Sequence, residues 1–261
     1  MNYIHISYLD LMISISLVAV TLFISFRERL GLEKDLLIGS VRAFFQLMLV
    51  GYILQYIFDL RKWYLVVLAL AIMMVTAGFN ALTRQKARWK RLFWILTAGI
   101  AGGSVLVLMI VVCLILKVRP WYQPQYIIPL AGMIVGNAMV GAALAANRLS
   151  SGLREHRREI ELALSLGATA RQAAAPYIRE ALKTAMMPTI SSMMTVGIVQ
   201  LPGMMTGQII AGTNPNAAVR YQIVVTYMIA ASTAITVMVI TLWLYQCYFT
   251  ACHQLRRELG E

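Results

Sequence analysis

"LFWILTAGIAGGSVLVLMIVVCLIL", residues 92–116, runs for 25 positions without one Asp, Glu, Lys or Arg. At about 1.5 Å of rise per residue, such a helix is long enough to cross the roughly 30 Å of hydrocarbon in a bilayer. Residues 11–26, 63–83, 120–147 and 221–255 are equally free of these four residue types, and 36–58 holds only Arg42. Residues 184–219 are uncharged as well, but Pro188, Pro202 and Pro215 punctuate them. Seven candidate crossings result. Lipid supplies no partner for a peptide N–H or C=O, so the expected fold is all-α. It is a polytopic helical membrane bundle of about seven transmembrane helices, forming one membrane domain over residues 1–261.

Composition agrees. Hydrophobic residues make up 60% of the chain, charged ones only 13%, and the mean hydropathy is +0.72. A soluble domain carries about 25% charged residues. The net charge of +12 is topological rather than a nucleic-acid footprint. Seventeen Lys and Arg fall in the loops after the first, third and fifth crossings and in the tail, against five in the alternate loops. By the positive-inside rule the N-terminus is expected outside, the C-terminus in the cytoplasm, and residues 148–187 in the cytoplasm. No cleaved signal peptide is expected, because the start lacks a basic region and a small-residue cleavage site. Cys113, Cys247 and Cys252 lie in or near the membrane and give no reason to expect disulfides.

Several chemistries are missing. No Gly-Lys pair occurs, so there is no phosphate loop for ATP, and neither H-E-x-x-H nor G-x-S-x-G appears. His5, His156 and His253 all fall outside the crossings. In "CYFTACH", 247–253, helical geometry makes Cys247, Cys252 and His253 diverge, so no metal site is assigned. No carboxylate lies well inside a crossing, which weakens a proton-coupled mechanism.

The 148–187 segment is long for a loop. Leu153, Ile160, Leu164 and Leu166 give residues 153–166 an amphipathic helical pattern, Gly167 interrupts it, and an alanine-rich stretch follows over 169–186. Two short helices meeting at a glycine form a knob suited to a groove on another protein; a helix lying on anionic lipid is the alternative. Glu161, Ala163 and Gly167 spell E-x-A-x-x-x-G, continuing through Leu166 and Ala168 in "LSLGAT". This resembles the coupling loop of ABC-transporter membrane subunits, although the downstream Ile-x-Leu-Pro of many importer permeases is missing.

"RERLGLEKD" (27–35), "PLAGMIVGNAM" (129–139), "LPGMMTGQIIAG" (201–212) and "AVRYQIVV" (218–225) resemble, in the same order, the iron-export ABC permease family, which includes half-transporters linked to aluminium tolerance. The resemblance implies a permease subunit that binds no cofactor itself, with ATP and Mg held by a separate ATPase. It further implies a homodimer with two copies of that ATPase, moving iron or a related metal species outward across the plasma (inner) membrane. Glu161, Ala163, Leu166, Gly167 and Ala168 would dock the ATPase. The rivals are a secondary transporter or channel needing no ATPase, and a membrane scaffold that transports nothing.

For the substrate pathway the sequence points to its most interrupted crossing. Gln200, Pro202 and Gly203 lie near the middle of the sixth, and proline there deletes a backbone donor. A broken helix at membrane depth lines a cavity or is buried, although a simple packing kink also fits. Met186/Met187, Met193/Met194 and Met204/Met205 flank the break, as soft ligands or as gap-fillers. Met204 and Met205 are the preferred pathway residues, shared with the resembling family. Asn137 and Met139 sit on a small-residue face with Gly132, Gly136 and Gly141. Arg42 and Gln46, four apart in the second crossing, share a face that serves either substrate or anchoring.

Overall fold

The computed structural model describes residues 8–60, 62–85, 89–250, 252 and 254–256. His5, Arg61, Lys86, Arg88, His253 and Arg257 lie outside the described residues. The chain divides into two compact units, Met1–Leu60 and Arg61–Glu261.

The first unit is a helical hairpin of α1 (Tyr8–Arg27) and α2 (Glu33–Leu60). "RERLGLEKD" forms its turn: the Leu30 N–H bonds the Ser25 carbonyl at 3.0 Å, and the Ser25 hydroxyl donates to Glu33 Oε1 at 2.8 Å. Glu33 and Asp35 place negative charge at the positive end of the α2 dipole.

The second unit contains α3 (Trp63–Thr83) and α4 (Lys90–Ile110), the latter prolonged by a π-helical turn over Val111–Ile115. It continues with α5 (Pro124–Glu155), α6 (Arg157–Ser165), α7 (Ala170–Thr195), α8 (Gly203–Ile210) and α9 (Pro215–Tyr248). The central helix α5 touches α3, α4, α7 and α9. It can do so because its buried face is small: Ala138, Ala142, Ala145 and Ala146 are fully enclosed. In lipid, helices associate through such close packing. Glycines such as Gly78 and Gly103 permit the close approaches. A Cβ on Gly78 of α3 would lie 2.0 Å from Thr97 Oγ1 of α4, and one on Gly103 of α4 would lie 2.3 Å from Thr236 Oγ1 of α9.

Polar groups finish the ends of the bundle. Buried Gln85, just past α3, donates to the Ala143 carbonyl of α5 at 3.0 Å. Tyr248 donates to Ser150 Oγ at 2.8 Å and meets Trp89 edge-on. At the opposite end stand Trp63, Tyr64, Trp121 and Tyr122, with Lys62 Nζ 5.7 Å from the Tyr64 ring. Aromatic girdles of this kind belong at membrane interfaces.

The protein is a nearly all-helical membrane bundle. Among the described residues, five helices are long and apolar enough to cross a membrane: Glu33–Leu60, Trp63–Thr83, Lys90–Ile115, Pro124–Glu155 and Pro215–Tyr248. The first candidate crossing appears as a shorter apolar stretch, Ile15–Arg27. The sixth is divided. Thr195 ends α7, Gly197 takes φ +86°, and Pro202 stands as the N-cap of α8. Proline here starts a new helix rather than kinking a continuous one, since its fixed φ suits a helix entrance.

The 148–187 segment also divides differently from the sequence reading. α5 continues to Glu155, His156 breaks the helix, and the alanine-rich stretch is the first half of α7, which runs on to Thr195. Only the nine-residue α6 is a separate element.

Candidate functional site

Two regions bring together the residues singled out in the sequence. The first is the elbow around α6. Ile160 is buried, and Ala163 and Leu164 pack against a core that includes Leu149, Leu153, Ala174 and Phe249. The opposite face presents Leu162 and Leu166, 62% and 81% exposed, four residues apart and so on one side of the helix. A large apolar pair on a polar surface marks an interaction site rather than core.

The elbow is rigid. The Ala168 N–H bonds the Ala163 carbonyl and the Gly167 N–H bonds the Leu164 carbonyl, both at 3.1 Å, with Gly167 at φ +92°. This is a Schellman closure, which needs a left-handed residue just past the helix. Thr169 and Gln172 then cap α7 reciprocally. Side chains brace the outside: Arg157 Nε donates to Glu161 at 2.9 Å, Arg148 pairs with Glu180, and His156 stacks on Tyr177 at 5.1 Å. Hydrogen bonds from His156 and Tyr177 hold the Glu159 carboxyl below its ordinary pKa. Removing the phenol with Tyr177→Phe is therefore expected to raise that pKa toward the ordinary carboxylate value, read by carboxyl-labelled NMR titration. Beside the elbow, a pocket of about 530 Å³ is lined by Arg157, Glu161, Ala168, Cys252 and Leu255.

The second region is a pocket of about 240 Å³ at the break between α7 and α8. Asn137 and Met133 of α5 line it, as do Gln200, Pro202 and Gly203 of the break and Met204 of α8. α7 adds Thr189, Ser192 and Met193, and α9 adds Gln222 and Thr226. A second pocket, about 350 Å³, shares Met193, Pro202, Gln222 and Thr226 and is lined also by Met205 and Tyr227. The non-helical backbone thus borders cavities, as membrane depth demands.

The two pockets share Gln222, whose side chain is 9% exposed. Thr226 must donate its hydroxyl proton to the Gln222 backbone carbonyl, 2.9 Å away, because that oxygen can only accept. Its oxygen can then only accept from the Gln222 side chain, so the amide NH₂ faces Thr226 at 3.4 Å. Oε1 is left buried with no partner. Asn137 is oriented in the same manner: its Nδ2 donates to the Met133 carbonyl at 2.8 Å, leaving Oδ1 as the uncommitted atom. Gln200 Nε2 bonds Ser192 Oγ at 3.1 Å.

The family model described as "Uncharacterised protein family (UPF0014)" matches residues 8–249. The chain belongs to UPF0014. Among its UPF0014 relatives, the "Probable iron export permease protein FetB" of Escherichia coli strain K12 is 38% identical over 98% of this chain and 97% of the relative. The "UPF0014 membrane protein YjkA" of Bacillus subtilis strain 168 is 37% identical, covering 96% and 99%. "Protein ALUMINUM SENSITIVE 3" of Arabidopsis thaliana is 32% identical, covering 93% and 87%. No solved structure matches the chain.

Within this UPF0014 chain the sequence-derived residues separate. Asn137, Gln200, Pro202, Gly203 and Met204 meet at one pocket, and Met205 at its neighbour. Met139 packs against the core instead. Arg42 and Gln46 are exposed on α2 in the other unit and line neither pocket. Gln222 and Leu162 were missed. The only hint of Gln222 was an uncharged amide within "AVRYQIVV"; Leu162 stands four residues before Leu166. In a cysteine-free background, Met204→Cys is expected to react with a small charged thiol reagent at least about tenfold faster than Met139→Cys, which packing shields. Equal rates would remove Met204 from the pathway.

Proposed function

We propose that this chain is the membrane-spanning permease subunit of an ABC transporter that exports iron or a related metal species, powered by a separate ATPase subunit. In this reading the chain crosses the membrane seven times, counting α1 and the divided α7–α8 pair, and the Lys and Arg bias supports an outside N-terminus with α6 and the C-terminus in the cytoplasm. Its setting is the plasma (inner) membrane, and the working unit is a homodimer carrying two ATPase subunits.

The observation that carries the reading is the elbow. A nine-residue helix closed by a left-handed glycine turns two leucines outward while its other face is locked into the bundle. A rigid lever of this kind passes a displacement to the helices behind it, whereas a loose loop would absorb it. The likeness to FetB, named as a probable iron export permease, supports the cargo and the direction. The chain's lack of any phosphate loop supports a separate motor.

The test is transport in inside-out vesicles containing the chain with its proposed ATPase subunit. Iron uptake into these vesicles should require hydrolysable ATP and both proteins. Uptake that proceeds without nucleotide would replace this reading with a secondary transporter or channel.

A further inference from the structure

The pocket at the α7–α8 break is an unusual place for a metal. None of its lining residues is Asp, Glu, His, Cys, Lys or Arg, and among the described residues no group of three or more His, Cys, Asp or Glu could hold a metal ion. A bare divalent cation would have to exchange its water for neutral amides and thioethers, with no anionic ligand to replace the lost hydration, a costly transfer. Yet the pocket is rich in acceptors. The Gln222 amide directs one N–H at Thr226 and leaves a buried, unpartnered oxygen, and Asn137 gives one N–H to the Met133 carbonyl. Such oxygens call for a ligand that donates hydrogen bonds.

From these observations, and resting on the pathway reading above, we infer that the pocket takes its divalent metal cargo as the hydrated ion, through outer-sphere hydrogen bonds from the bound waters to Gln222 and Asn137. A metal ion polarises its first-shell waters into strong donors, which suits the two free amide oxygens. Size agrees: six waters at about 30 Å³ each occupy on the order of 180 Å³, within the 240 Å³ of the pocket. The ion keeps its inner shell, so no charged side chain has to replace it. Release is correspondingly easy, since no metal–protein bond has to break.

Hexaamminecobalt(III) separates this from direct coordination, because its six ammonia ligands donate hydrogen bonds but do not exchange. The purified full-length chain in lipid nanodiscs is titrated with manganese(II) and with the cobalt complex by isothermal calorimetry. Both should bind saturably and displace one another. Gln222→Leu and Asn137→Leu should each weaken both by about tenfold, with melting temperatures unchanged. Manganese binding that depends on Gln222 and Asn137, without any binding of the cobalt complex, would overturn the inference and leave the pathway intact. Binding that neither substitution weakens, or no binding of either probe, would overturn the pathway assignment and the inference together. If Gln222→Leu does not fold, Gln222→Met and Asn137→Leu carry the same comparison.

Discussion

Leu166→Glu is expected to weaken association of the chain with the proposed ATPase subunit by about 30-fold or more, the loss that goes with removing an interface hot spot of about 2 kcal/mol. The reason is geometric. Leu166 caps the C-terminus of α6 and is the most exposed large apolar residue of the elbow, at 81%, with Leu162 beside it at 62%. Neither side chain supports the bundle, so a charge there does not disturb folding but does enter whatever groove receives the helix. Gly167→Asp acts on the same surface by another route. A side chain at φ +92° costs about 1–2 kcal/mol of local strain, and no atom lies within 4 Å of the new Cβ. The elbow should therefore reorient without unfolding the rest. Quantitative pull-down of the tagged chain, normalised to its amount in the membrane, checks both variants. Normal recovery of the ATPase with Leu166→Glu would remove α6 as the docking element.

The second large effect concerns stability. Gly103→Val is expected to cost at least about 3 kcal/mol, a large share of the 5–15 kcal/mol that holds a typical domain folded. At that site a Cβ would meet Thr236 Oγ1 at 2.3 Å, the Thr236 nitrogen at 3.0 Å and the Ser232 carbonyl at 3.2 Å. Two of these are backbone atoms, so α4 and α9 would have to part. The neighbouring glycine supplies the control. A Cβ on Gly102 meets nothing within 4 Å, and alanine is the better helix former by about 1 kcal/mol, so Gly102→Ala should hold or raise the melting temperature. Thermal unfolding of the two variants in one detergent makes the comparison. Equal melting curves would mean that α4 and α9 do not pack as closely as described.

Much of this was legible in the residues. Uncharged runs of membrane length gave the helices, and E-x-A-x-x-x-G marked the elbow with its left-handed turn at Gly167. The meeting of Asn137 with Gln200 and Met204 could not be read from periodicity. It depends on α5 crossing the α7–α8 break, which tertiary packing alone decides. Helix boundaries around His156 were missed because "RLSSGLREHRREIELAL" keeps a helical pattern on both sides of the break; packing of Ile160 and Leu164 against the core turns the chain there. Pro202 was read as the break in the sixth crossing, with a packing kink as the alternative, and the helix is divided there. A proline inside an apolar run reads equally well as a kink or as a helix start, and Gly197, with its positive φ five residues earlier, tips it to the second. Gln222 gave little warning, since its importance lies in a hydrogen-bond imbalance fixed by Thr226 rather than in any spacing.

Photo-crosslinking from position 166 in intact cells tests the docking of α6 most directly. With a photoreactive amino acid replacing Leu166, the expected product is a covalent adduct between the full-length chain and a soluble subunit that itself carries a phosphate-binding G-x-x-x-x-G-K-[ST] loop. Adducts with lipid alone, or with a protein lacking that loop, would contradict a nucleotide-driven permease.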